Sequence, residues 1–290
     1  MVITTSTAVP KSPSESIRPK TNLTPPLKWA GGKRWLAPLL TPDVSQYKSW
    51  VTPFSGGLGL TLSFQPPTAV INDINSHLIN FYSQIAAHGL AIPPDLCVLD
   101  EAVYYARRQE FNQLIQVDPN TPRCAALFYY LNKTGFNGLC RFNQKGLFNV
   151  PFGKYKQVNY RSDFKDYQDL FRHWQFLCHD FEQVQVESDA FVYLDPPYDG
   201  GFTAYSRQTF TWDDQQRLAS WAAKLTNPLV VSNKATDRIL ALYKDLGFVL
   251  YTTYGPRHIN NTGDRKPVQE MIATKNLQRL SPNQAIDPVE

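Results

Sequence analysis

The chain has 290 residues, 42% hydrophobic and 13% aromatic, enough to bury a full core in one large domain or one domain with a sizeable insertion. No run approaches the ~18 apolar residues of a membrane span. The cysteines (Cys97, Cys124, Cys140, Cys178) and the scattered histidines match no disulfide framework or zinc signature, so reduced cysteines and no metal are expected.

Residues 1–24, rich in Ser, Thr, Pro and Lys, lack the apolar stretch of a secretory signal and read as a disordered tail. "SWVTPF" (49–54) and "TAVIND" (68–73) carry strand character. "NSHLINFYSQIAAHG" has an Asn/Ser start, apolar residues at helical spacing and Gly89 as its stop. "EAVYYARRQEFNQLIQ" and "TPRCAALFYYLNK" are helical, followed by a loop full of Gly and Asn. Strand character returns in "DAFVYLD" (189–195), "PLVVSN" (228–233), "FVLYTTY" (248–254) and "MIATKN" (271–276). Between these strands lie "TWDDQQRLASWAAKLT", with Thr211 and Asp214 in capping-box spacing, and "TDRILALYKDLG", stopped by Gly247. The alternation argues an α/β fold with a mainly parallel sheet and a ligand crevice at the strands' carboxyl ends. A helical module splits the sheet in sequence.

Net charge is only +4, but its distribution is uneven. Arg123, Lys133, Arg141, Lys145, Lys154, Lys156 and Arg161 form a block without acids, interleaved with Phe128, Tyr129, Tyr130, Phe136, Phe142, Phe148, Phe152, Tyr155 and Tyr160. Such a mixture fits nucleic-acid contact or, equally, a solvated face on a packed subdomain.

Three stretches could carry chemistry. In "FSGGLG" (54–59), glycines directly after a strand let backbone approach a ligand. Asp73 ends the next strand, where an acid can accept hydrogen bonds from a ribose; capping the following helix is the alternative. Together they suggest an adenosine-containing cofactor. The glycines do not follow GxGxxG, which favours S-adenosylmethionine over a dinucleotide. The third stretch is "DPPY" (195–198), where two prolines stop a buried strand. Methylating an exocyclic amine requires drawing the nitrogen lone pair out of the base ring. The Asp195 carboxylate and the Pro196 carbonyl can each accept one amino hydrogen and stabilise the charge developing on nitrogen. Tyr198 can stack on a base flipped out of the duplex.

These stretches, with "LKWAGGKRWL" (27–36), "NDIN" (72–75), "LNKTGFNGLCRFNQKGLFNVPFGKY" (131–155), "FTAYS" after the prolines and "VVSN" (230–233), resemble the Dam-type (D12 class, alpha group) DNA adenine-N6 methyltransferases from Leu27 to about Asn276. The resemblance implies a Rossmann-like S-adenosylmethionine-dependent methyltransferase sheet with an inserted helical target-recognition domain. It divides the chain into a tail (1–24), a first catalytic part (25–88), target recognition (89–160), a second catalytic part (161–280) and a tail (281–290). It implies that Trp29, Ala30, Lys33, Phe54, Gly56, Asp73, Asp180, Phe181 and Asp195 hold the donor, and that Asp195, Pro196 and Tyr198 act on the amine. Lys28, Asn137, Leu139, Arg141 and Pro151 resemble readers of GATC. Arg141 would pair bidentately with guanine, Leu139 and Pro151 would touch a thymine methyl, and Phe136 would wedge into the space of the flipped adenine.

The expectation is a site-specific, adenine-specific methyltransferase acting on double-stranded DNA as a cytoplasmic monomer, solitary or within a restriction-modification pair. Cytosine-N4 transfer and an inactive DNA-binding homologue are the alternatives. The sequence departs from the family at Thr52, where Glu is common, at Leu58, where Gly is common, and at Phe136, where Tyr is common.

Overall fold

The computed structural model describes residues 23–199, 210–255, 268–277 and 287–289. The expected tail up to residue 22 and the "FTAYS" segment lie outside the described residues. A 3₁₀ turn at Arg34–Leu36 leads into α1 (Ala37–Val44). There follow β1 (Ser49–Thr52), α2 (Gly59–Phe64), β2 (Thr68–Asn72), α3 (Ser76–His88), α4 (Glu101–Val117) and α5 (Pro122–Thr134). The second half contributes α6 (Lys165–Phe171), β3 (Trp174–Leu177), β4 (Phe191–Leu194), α7 (Trp212–Lys224), β5 (Leu229–Lys234), α8 (Asp237–Asp245), β6 (Val249–Gly255), β7 (Val268–Lys275) and β8 (Asp287–Pro288).

Local chemistry sets the element ends. The Asn75 side chain accepts the N–H groups of His77 and Leu78 at 3.1 and 3.2 Å, capping α3, and Gly89 closes that helix in the left-handed region at φ 67°. Both halves of the Thr211–Asp214 capping box form at the start of α7. Its buried face, Gln215, Leu218, Ala219 and Ala222, recurs at helical spacing against the sheet.

The sheet runs β3-β2-β1-β4-β5-β7-β6-β8. The first five strands are parallel, and β7 enters antiparallel between β5 and β6. This is a Rossmann-like methyltransferase fold, as the resemblance implied, and the mainly parallel sheet is the one that the alternation of elements argued. Every residue of β4 is buried, which explains its unbroken apolar run: helices cover both sheet faces. One core cluster gathers Trp50, Ile71, Phe81 and Tyr82 and continues without a break into Tyr104, Phe111, Phe128 and Val150 of the helical module. The other joins Val51, Val192, Leu194 and Val231 to Leu218, Ile239 and Tyr243.

Three details differ from the sequence reading. Trp174–Leu177 forms the edge strand β3 in a stretch not read as a strand, because it has four residues and only Trp174 is buried. Asp287 and Pro288, inside the expected C-terminal tail, pair with β6. Leu23, inside the expected N-terminal tail, is buried in the first core cluster.

Strand order reverses direction between β1 and β4, neighbours in the sheet with consecutive strands fanning out on either side. In an open α/β sheet a crevice forms outside the carboxyl ends at that point. The ends there are Thr52 and Leu194, leading into Pro53–Phe54 and Asp195–Pro196.

Candidate active site

Two carboxylates flank the crevice. Asp73, just past β2, accepts the N–H of Gly56 at 3.0 Å through Oδ2 and the N–H of Asn75 at 2.9 Å through Oδ1. Since Asn75 caps α3, the capping alternative for Asp73 is excluded. Burial pushes its pKa up, and the N–H groups of Asn75 and Gly56 pull against that. The Tyr82 hydroxyl donates to the Gly56 carbonyl at 2.8 Å, so the glycine turn is held on both sides.

The turn is shaped around Trp29. A Cβ on Gly57 would lie 2.7 Å from the Trp29 Cβ, and one on Gly56 would lie 2.9 Å from the indole Nε1. These glycines therefore admit an aromatic wall, a closer constraint than backbone approach to a ligand alone. Ala30 follows as a partly exposed step to the 31–33 turn. Leu58 sits at φ 60°, a conformation that a glycine adopts without the steric cost of a Cβ. Thr52 is buried with its hydroxyl 3.5 Å from that of Thr61, facing α2.

Asn72, quoted only as part of "NDIN", joins three loops. Its Nδ2 donates to the carbonyls of Pro53 and His179 at 2.9 and 3.0 Å, and its Oδ1 accepts the His179 N–H at 2.9 Å. It brings the 179–181 loop beside Phe54, whose ring centroid lies 5.5 Å from that of Phe181. Asp180 is held bidentately by Arg217, each bond 2.9 Å, and the guanidinium carbon lies 4.4 Å over the Phe181 ring. Arg217 was not singled out from sequence. Its three-residue offset from Asp214, to which it also pairs at 3.1 Å, was the available signal.

Asp195 occupies the other wall, 21% of its side chain open to the crevice but ringed by protein. Burial raises its pKa, opposed by the charge and hydrogen bonding of Lys33 and by the Ser232 hydroxyl. The Ser232 Oγ donates to Oδ1 at 2.9 Å and lies 3.0 Å from the Tyr193 hydroxyl. With the serine proton committed to Asp195, Tyr193 must be the donor to Ser232. Lys33, 3% exposed, places Nζ 3.1 Å from Asp195 Oδ1 and 3.3 Å from Oδ2, 2.7 Å from the Gly31 carbonyl and 4.7 Å from the Tyr198 ring centroid. Lys33, expected only to line the donor pocket, thus contacts the Asp195 corner directly. Glu270 on β7 lies 4.0 Å from the same ammonium. Burial, then the negative charges of Asp195 and Glu270, push the Tyr198 hydroxyl well above its ordinary pKa. Glu270 gave no sequence signal, because it precedes the apolar run of its strand and its ammonium partner lies 237 positions away.

The expected DNA readers collect elsewhere. Lys28 is one residue from Trp29 and is pinned to α5: Asn132 accepts its N–H and donates to its carbonyl, both at 2.8 Å. Its Nζ caps the Lys133 carbonyl at 3.1 Å and lies 3.9 Å over the Tyr155 ring. Phe136 is 46% exposed at the head of a 3₁₀ turn in which Asn137 takes φ 53°. The Pro151 carbonyl accepts the Phe136 N–H at 2.9 Å, and Pro151 itself is exposed. Leu139 packs partly on the core. Arg141 braces its guanidinium on Asn149, through Nε to Oδ1 at 2.8 Å and Nη2 to the carbonyl at 3.1 Å. A hydrogen bond from Asn75 Nδ2 to Cys140 Sγ, 3.5 Å, ties this loop back to the Asp73 turn.

Relatives share this chain over nearly its whole length. A retron Ec67 DNA adenine methylase from Escherichia coli is 33% identical over 90% of this chain and 95% of its own. A DNA adenine methylase from Escherichia coli K12 is 34% identical over 88% and 96%, and the type II methyltransferase M.MjaIII from Methanocaldococcus jannaschii 33% over 83% and 94%. Residues 29–258 match the model of the D12 class N6 adenine-specific DNA methyltransferases. That match spans both walls of the crevice and the helical module between them, and on it the chain belongs to the D12 class N6 adenine-specific DNA methyltransferase family, enzymes that methylate adenine in DNA.

Proposed function

We propose that this enzyme takes its methyl group from S-adenosylmethionine and places it on N6 of an adenine extruded from duplex GATC, working as a monomer on cytoplasmic DNA. The observation that carries the reading is the pairing of two crevice walls at one switch point: Asp73 with the Trp29-backed glycine turn, and Asp195 with Lys33 and Ser232. Residues 89–160 serve as the target-recognition part and the flanking segments as the catalytic part.

The residues fit the donor. Asp73 keeps acceptor capacity for two ribose hydroxyls while its N–H partners fix its direction. Trp29, Phe54 and Phe181 supply apolar surface for an adenine, with Asp180 at its edge, and Gly56 and Ala30 leave room for the methionine part. When bound, S-adenosylmethionine supplies an electrophilic methyl carbon on a sulfonium.

On the other wall, Asp195 accepts one amino hydrogen of the target adenine and the Pro196 carbonyl the other. This turns the nitrogen lone pair out of conjugation and stabilises the positive charge that grows there. The Tyr193–Ser232 hydroxyl chain holds Oδ1, so the carboxylate cannot swing away. Tyr198 provides a stacking surface, its ring backed by Lys33. Asp195 is then the acceptor at hand for the proton that leaves N6.

On the DNA side, the Asn149 brace holds the Arg141 guanidinium in one plane, which a bidentate guanine contact requires. Phe136 is free to enter the gap left by the flipped base.

DNA from a methylation-free host expressing this chain should resist a nuclease that cuts only unmethylated GATC and yield to one that cuts only its methylated form. The opposite pattern rejects the GATC assignment. Asp195→Ala should bind DNA as the wild type does and transfer no methyl label; equal labelling by the two proteins rejects the catalytic assignment.

A further inference from the structure

Beyond Leu194 the chain leaves β4, and the segment 195–199 must hold its direction without a strand ladder. Prolines 196 and 197 donate no N–H but keep their carbonyl acceptors, which past the end of β4 have no ladder partner and need donors from elsewhere. One donor is visible. Gln215, 1% exposed on α7, gives its Nε2 to the Pro197 carbonyl at 2.8 Å.

That side-chain amide could in principle point either way. Asn233, fully buried at the end of β5, decides. Its Oδ1 accepts the Lys234 N–H at 2.8 Å and faces the Asp199 N–H at 3.5 Å, so its NH2 group must point the other way. The NH2 donates to Gln215 Oε1 at 2.9 Å, which leaves Nε2 as the only end of Gln215 able to face Pro197. Two residues beyond Pro197, Asp199 is gripped by the Arg238 guanidinium through both oxygens and by the Thr236 hydroxyl at 3.2 Å. Buried amides in an otherwise apolar interface between α7 and the sheet are costly unless every group is satisfied. Here they are, and all of them converge on the two residues flanking Tyr198.

We infer that Gln215 and Asn233 form a one-way amide relay that sets the direction of the Pro196 and Pro197 carbonyls, making Gln215 a positioning residue for methyl transfer. The inference rests on the proposed role of the Asp195–Pro196 corner. Gln215 touches no reacting atom. The Pro197 ring locks φ, so holding the Pro197 carbonyl restricts how the Pro196 carbonyl before it can turn, and that carbonyl must meet an amino hydrogen.

The test is Gln215→Glu, which keeps shape and exchanges the N–H donor for an oxygen. At pH 8 the new carboxylate repels the Pro197 carbonyl, and kcat should fall on the order of ten- to a hundredfold, the scale of a misaligned reacting group. KM for DNA and for S-adenosylmethionine should stay within about twofold of wild type, because neither wall of substrate contact has changed. Lowering the pH to about 6 protonates the introduced acid, whose burial raises its pKa, and restores an O–H donor. The ratio of variant to wild-type kcat should therefore rise several-fold on acidification. A merely structural role predicts a flat ratio, and a flat ratio or an unchanged kcat overturns the inference. If that variant does not fold, Gln215→Met removes the donor without adding charge. A kcat loss on the order of tenfold at constant KM supports the relay, and unchanged kcat or a loss confined to KM overturns it. Asp195→Ala, measured alongside, separates the two ideas. If it is inactive while the Gln215 variants behave as wild type, only the relay falls; if it retains full activity, the corner's catalytic role and the relay fall together.

Discussion

Acids in this molecule divide into two groups by what surrounds them. Asp73 and Asp195, walled in at the crevice, have pKa values raised by burial. Hydrogen bonds from Arg123 lower Asp95, and hydrogen bonds from Arg238 lower Asp199; at Asp180 burial pulls upward most strongly, but Arg217 and the Glu182 N–H together outweigh it. If Asp195 acts as proposed, activity and stability respond to acid through groups shifted in opposite directions. A carboxylate with a depressed folded pKa adds stability that persists above its unfolded pKa and is lost only as pH falls through the depressed one. A carboxylate with a raised folded pKa favours the fold at low pH and loses that contribution as pH rises through the raised value. Acidification should therefore silence Asp195 by protonating it above the ordinary aspartate range, while the arginine-paired acids still hold the fold. Measured together, kcat should fall at a higher pH than the drop in melting temperature; coincident transitions would contradict this. Arg217 makes a second residue-scale case. Arg217→Met keeps aliphatic bulk over Phe181 but releases Asp180, so KM for S-adenosylmethionine should rise severalfold, about 1 kcal/mol for a lost charge-assisted contact that is half-exposed, with kcat little changed. Steady-state titration of the donor checks it. Of these residues Asp195 was legible because it ends a strand before two prolines, and Asp73 because it ends the strand that follows the glycine turn. Glu270 and Asn72 were not, since their partners are distant in sequence, and for Arg217 only the pairing with nearby Asp214 was open to reading, not the one with Asp180.

Helices and strands followed local signals closely. Caps at Asn75, Thr121 and Thr211 form as side-chain hydrogen bonds, and the apolar runs of β1, β2, β4 and β5 all entered the sheet. The short edge strand β3 escaped because alternation over four residues with one buried position carries little periodicity. Elements also meet at points that no single element announces. Gly57 lies where the 29–33 turn crosses the turn after β1, and there an added Cβ would press on the Trp29 Cβ, an atom that cannot swing aside. Gly57→Ala should displace the indole, destabilise the fold by about 1–3 kcal/mol and raise KM for S-adenosylmethionine. Thermal denaturation and donor titration test it, and a variant with wild-type values of both would show that Trp29 does not wall the pocket.

Across the whole molecule the charge pattern read from sequence bears on the proposed split between DNA contact and methyl transfer. Lys133, Arg141, Lys145, Lys154 and Lys156 of the basic block lie in sequence around Phe136 and Asn137, whereas Arg123 is tied to Asp95 and Glu110, and Asp180 and Asp195 come from the part of the chain after that block. Lys28 beside Trp29, and Asn75 bonded to Cys140, couple the two regions over a few residues. Exposed lysines on the loop should bind phosphates without reading bases. Lys154→Ala should weaken DNA binding uniformly and lower the slope of log affinity against log salt by about 1. Arg141→Ala should instead relax discrimination at a guanine by about 1–3 kcal/mol. Binding to duplexes with single base changes, across a salt series, distinguishes them; matching profiles would remove the assigned division.

Strand order of chemistry along the chain, the stop at Asp195–Pro196, the acid after β2 and the family itself were all written in local sequence, because turns, caps and motif spacing act over a few residues. Which charges face one another was not. Lys33 reaches Asp195 across 162 positions, and Gln215 reaches Pro197 only because β4 and β5 lie side by side under α7. Such pairings depend on the sheet order and on how each helix crosses it, and only packing the chain decides them.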